Sequence, residues 1–80
     1  MNRQVRLDLL DSLGLVALSL GALETAALRV GREAEMARLE MRLALLRARL
    51  QAGNPRPQLL AEMHLFIEDF EAFIGLCCRH

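Results

Sequence analysis

The sequence has no Trp, Tyr or Lys, and its only aromatic residues are three Phe. So few aromatic side chains argue against the stacking platform that proteins use for single-stranded nucleic acid. Ten Arg are balanced by ten acidic residues, which leaves no net charge. A nucleic-acid or anionic-membrane binder normally carries a strongly basic face. We therefore expect neither a nucleic acid nor a membrane as partner.

Long hydrophobic runs and a disulfide framework are also missing. The leucine-rich stretch Leu13–Leu23 has eleven residues, whereas a membrane-spanning helix needs roughly 20. Asp8 and Asp11 precede it, where a signal peptide carries only positive charge. The two cysteines, Cys77 and Cys78, are adjacent and cannot easily bridge each other. These features predict a cytoplasmic protein.

Leucine and alanine dominate what is present. Apolar side chains make up 54% of the 80 residues, with eighteen Leu, eleven Ala and few β-branched residues. Leu and Ala favour helix over strand, so the chain is predicted to be all-α, with residues 1–80 forming one domain. A protein of this size buries only about 60–65% of its unfolded surface. The apolar excess therefore predicts a contact with another chain.

A turn at residues 52–57 is predicted to join two antiparallel helices. Gly53 suits a left-handed C-cap, and Pro55 and Pro57 cannot continue a helix. Arg56 precedes proline and should be non-helical, so that the last helix begins near Pro57. Apolar residues at spacings of three and four on both sides of the turn predict a coiled-coil-like hairpin core. This core comprises Met36, Leu39, Leu43, Leu46, Leu50, Leu59, Met63, Phe66, Phe70 and Phe73.

The N-terminal third is predicted to add a helix to this hairpin, as a three-helix bundle or as a helix-swapped dimer. We expect helices over Val5–Leu20, Leu23–Gln51 and Pro57–Cys78, with a break or kink near Gly21 or Gly31 because glycine weakens helices. Further apolar rows lie outside the hairpin core and predict a partner-binding surface. Its candidate residues are Leu13, Val16, Leu20, Leu23, Ala27, Val30, Ala34, Ala37, Met41, Ile67 and Ile74.

No pattern in the sequence indicates chemistry. Cys77, Cys78, His80 and His64 are the only soft-ligand group, and their spacing matches no zinc site. No histidine is placed with a nucleophile and an orienting group, and a glycine-rich phosphate loop is missing. We therefore expect no catalytic residues, no metal site and no cofactor, and the chain is not expected to be an enzyme.

The hairpin resembles one known family. The stretch Leu45–Gly53, the proline turn and Gln58-Leu59-Leu60 are similar to the helical hairpin of the small co-chaperones of type III secretion needle subunits, over about residues 39–76. The ending Ala72–Leu76 is similar to the aliphatic end of that family's second helix. The resemblance implies a bacterial cytoplasmic protein that pairs with a larger helical chaperone and keeps a needle subunit soluble.

The leading prediction is thus a non-enzymatic interaction module, a chaperone-like adaptor that shields or assembles a partner through an apolar helical face. One alternative is a homodimeric phage- or plasmid-type regulator that inhibits a host protein. Another is an RNA-binding hairpin dimer, since Arg42, Arg47 and Arg49 cluster at the end of the central helix.

Overall fold

The computed structural model describes residues 3–53 and 55–78 of the chain. Four helices follow one another in this part of the chain: α1 (Arg3–Ala22), α2 (Glu24–Arg29), α3 (Glu33–Ala52) and α4 (Pro57–Cys77). No strand occurs among the described residues. The prediction of an all-α chain with a helical hairpin and an N-terminal helix is confirmed.

α1 and α2 are separated at Leu23, where the helix is interrupted but two i to i−4 bonds remain. The Leu23 amide donates to the Ser19 carbonyl at 3.1 Å, and the Ala27 amide donates to the Leu23 carbonyl at 2.8 Å. These are ordinary i to i−4 helical bonds. Gly21 itself lies inside α1, so the helix bends just after this glycine.

The helix predicted over Leu23–Gln51 is wrong, because it is divided at Gly31. Gly31 has a φ of +73°, a left-handed conformation that glycine adopts without steric cost. The Arg32 amide donates to the Ala27 carbonyl at 2.8 Å, and the Gly31 amide donates to the Leu28 carbonyl at 3.2 Å. This pair of bonds is a Schellman C-cap. It ends α2 and allows α3 to run in a new direction.

The hairpin turn follows the predicted boundaries but uses another conformation at its glycine. Gly53 is extended, with φ 174°, so the expected left-handed cap at this position is wrong. Arg56 is extended as predicted (φ −93°, ψ 157°), and Pro57 begins α4. Proline is favoured there because the first helical amide has no partner within the helix.

α3 is the central helix, and both α1 and α4 pack along it. All ten residues of the predicted hairpin core are buried, and Leu13, Leu20, Ala27 and Cys77 join them in one cluster. The molecule is elongated, with dimensions of 42 × 19 × 18 Å. The long sides of the bundle therefore provide most of its surface.

Candidate protein-interaction surfaces

The predicted partner-binding residues fall into three groups. Leu13, Leu20 and Ala27 have at most 1% of their surface exposed, so their assignment to a free surface is corrected: α1 and α2 place them in the core against α3. Four others are half-buried at the margin of the core: Val16, Leu23, Ile67 and Ile74. The exposed ones are Val30, Ala34, Ala37 and Met41.

A more exposed apolar surface lies on the opposite side of α1, and we call it the α1 face. It consists of Leu15, Leu18, Gly21 and Ala22, all of which are exposed. Leu18 is 73% exposed and Leu15 is 66% exposed. The sequence-based assignment missed this face because it selected the other leucine row of the same helix. The available signal was the spacing of three between two leucines in a stretch without charges.

The α1 face has no polar group that requires water. No charged residue occurs between Leu13 and Leu23. The Ser19 hydroxyl, beside the face, donates to the Leu15 carbonyl at 3.0 Å. Such back-bonding satisfies a serine within its own helix. The surface can therefore be dehydrated by a partner without leaving a donor unsatisfied.

Unpaired charges stand at the two ends of the α1 face. Asp11 lies seven residues before Leu18 on α1, a spacing that returns to one side of a helix, and Arg29 lies at the end of α2. Both side chains are exposed. Neither one forms an ion pair with any residue in the described part of the chain. An unpaired acidic residue thus precedes the α1 face along the chain, and an unpaired basic residue follows it.

A second apolar surface, the hairpin face, consists of Leu45 on α3 and Leu65 on α4. These leucines are 60% and 57% exposed, and they line the same shallow groove. An ion pair crosses the hairpin on each side of them. Arg42 binds Asp69 at 2.8 Å, and Arg49 binds Glu62.

The charges of the hairpin face are consequently engaged within the chain. Arg42 also lies over the Phe66 ring, with 5.4 Å between its guanidinium carbon and the ring centroid. This guanidinium contacts the ring and the Asp69 carboxylate at once. These contacts tie α3 to α4.

The titratable groups that the structure describes do not assemble into a reactive centre. Burial raises the pKa of the Cys77 thiol, and the neighbouring Cys78 adds to the increase. His64 is exposed and lies 3.4 Å from Glu68. Among the described residues, no three His, Cys, Asp or Glu side chains could hold a metal ion together. His80, from the predicted soft-ligand group, lies outside the described residues.

The helices in the described part of the chain are too short or too polar to cross a membrane. No family model, curated protein or solved structure matches the chain.

Proposed function

We propose that the chain is a non-enzymatic helical interaction module, an adaptor that shields or assembles a partner chain. The α1 face is its contact surface. The observation that carries this proposal is the exposure of Leu15 and Leu18 on a face without charge. Fully burying one leucine side chain contributes about 1.5–3 kcal/mol of favourable free energy. Because Leu15 and Leu18 stay mostly exposed, most of this free energy is available to a contact with another chain.

A protein partner is favoured over RNA by where the aromatic and basic side chains lie. All three Phe are in the core, so no phenylalanine ring is available for an exposed base to stack on. Arg42 and Arg49, two of the three Arg considered for RNA contacts, are held in ion pairs. The resemblance of the hairpin to secretion co-chaperones, with its larger helical partner, stays a prediction.

Site-specific photo-crosslinking tests the proposal. A benzophenone amino acid replaces Leu18, or Glu71 as a control, in the cells that produce the chain. Glu71 is exposed on α4. Irradiation should give a discrete protein adduct from position 18 and none from position 71. Mass spectrometry then identifies the second chain of the adduct.

Leu18→Glu is the matched interference variant, and Leu45→Glu is its control. Both replace a leucine that is at least 60% exposed, so neither should unfold the bundle. Leu18→Glu should abolish adducts formed from a benzophenone at Leu15, while Leu45→Glu should leave them unchanged. Equal adduct yields from all positions and variants, or none at all, would contradict the proposed contact surface.

A further inference from the structure

The accessible surface of the molecule is larger than that expected for a compact monomer of the same mass. The accessible surface is 5550 Å², whereas the scaling for compact monomers gives roughly 4,900 Å² at 9.0 kDa. The difference of roughly 700 Å² is close to the ~800 Å² that each partner contributes to a standard interface. The radius of gyration shows the same excess, at 13.4 Å against about 11.6 Å expected for 80 residues. This excess reflects the elongated shape of the bundle, whose long side of 42 by 19 Å is large enough for a contact of that size.

The α1 face, with its two end charges, is complementary to itself. When two copies of a helix pack antiparallel, the acidic end of each lies against the basic end of the other. Asp11 of one copy then approaches Arg29 of the second, twice in each dimer, and Leu18 approaches the small Ala22. Asp11 lies on α1 and Arg29 at the end of α2, so the two charges of each copy stand on opposite sides of the interruption at Leu23.

We propose that the partner at the α1 face is a second copy of the chain, packed antiparallel about a two-fold axis near Leu18 and Ala22. This inference rests on the proposed function, because it names the occupant of the same surface. Two-fold dimers bury the same patch on both copies, so the uncharged α1 face of one copy contacts the uncharged α1 face of the other. The two Asp11–Arg29 pairs fix the direction of the helices.

The alternative location for self-association, the hairpin face, lacks this complementarity. Its flanking charges, Arg42 with Asp69 and Arg49 with Glu62, are already paired within one chain. These four side chains would have to exchange partners before they could set the direction of a second copy. The α1 face combines the most exposed leucine of the described residues, Leu18, with unpaired charges of both signs.

Sedimentation velocity on the purified full-length chain, over a wide range of concentration, tests the dimer. The wild-type chain and Leu45→Glu should sediment as dimers at high concentration and dissociate reversibly on dilution. Leu18→Glu should weaken the dimer about a hundredfold or more, because it places two carboxylates without partners near the axis. Circular dichroism confirms that each variant remains helical.

Charge reversal tests the antiparallel arrangement. Asp11→Arg and Arg29→Asp should each weaken the dimer about tenfold, because both symmetry-related pairs become repulsive. The double variant Asp11→Arg with Arg29→Asp exchanges the two signs and should restore most of the affinity. High salt should reduce the differences between the four proteins.

Three outcomes would overturn the inference: a wild-type chain that stays monomeric, a dimer that Leu18→Glu leaves intact, or a double variant no stronger than the single ones. The crosslinking experiment separates such a failure from a failure of the proposed function. If the chain is monomeric and its Leu18 adduct contains a different protein, the proposed interaction module stands and the proposed dimer is wrong. If no adduct forms at all, the proposed function as an interaction module is contradicted.

Discussion

Neighbouring residues of α4 illustrate how strongly burial differs along one turn. Phe66 has no exposed surface, while Leu65 is 57% exposed. Phe66 also contacts Phe70, with the ring centroids 6.3 Å apart, and lies under the Arg42 guanidinium. The Phe66 side chain therefore contacts both the apolar core and the Arg42 guanidinium, which forms the ion pair with Asp69.

Truncating these two neighbours should separate their roles in stability. Phe66→Ala should reduce the free energy of unfolding by about 3–5 kcal/mol, because a cavity replaces the ring. Leu65→Ala should change it by about 0.5 kcal/mol or less. The free energy of unfolding of an 80-residue domain is only about 4–12 kcal/mol in total, so urea titration followed by circular dichroism will resolve the difference. Similar losses for both variants would contradict the described orientation of α4.

The two cysteines should differ in reactivity. Cys77 is buried and Cys78 is exposed, and the thiolate is the reactive form. Burial raises the pKa of Cys77, which lowers its thiolate fraction near neutral pH. Iodoacetamide should therefore modify Cys78 quickly and Cys77 only when the helix end opens. In a Cys78→Ser variant, mass spectrometry should find slow labelling that urea accelerates; rapid labelling without urea would contradict the burial of Cys77.

At the scale of the elements, two glycines have opposite effects on stability. Gly31 occupies the left-handed region (φ +73°) at the α2–α3 break, whereas Gly75 lies within α4. A Cβ atom added at either position would meet no atom within 4 Å. The consequence of a substitution is thus decided by the backbone.

Gly31→Ala should lower the free energy of unfolding by about 1–2 kcal/mol, because alanine disfavours the left-handed region. Gly75→Ala should raise it by about 0.5–1 kcal/mol, because alanine favours the helix. Thermal unfolding of the two variants beside the wild-type chain measures both changes. The same sign for both would show that the break at Gly31 is not maintained in solution.

At the scale of the whole molecule, self-association would connect stability to concentration. A ligand that binds only the folded state stabilises it by mass action, and a second copy acts as such a ligand. The midpoint of thermal unfolding should rise with protein concentration for the wild-type chain and for Leu45→Glu. It should be independent of concentration for Leu18→Glu. Differential scanning calorimetry at several concentrations provides this measurement.

The hairpin was determined by the sequence because its signals are local. The glycine–proline turn limits where the helices end, and the spacing of Leu43, Leu46, Phe66 and Phe70 selects one side of each helix. The end of α2 at Gly31 was predicted only as one of two positions. Whether a glycine adopts the left-handed conformation or remains inside a helix, as Gly21 does, depends on how the neighbouring segments pack.

Only the tertiary structure decided which side of α1 meets the core. Leucines occur on both sides of this helix, at Leu13 and Leu20 and at Leu15 and Leu18, and few charges distinguish the two rows. An amphipathic pattern specifies an orientation only when one side is polar. Packing against α3 buried Leu13 and Leu20 and left Leu18 exposed, because the connection through Gly31 sets how α1 approaches the hairpin.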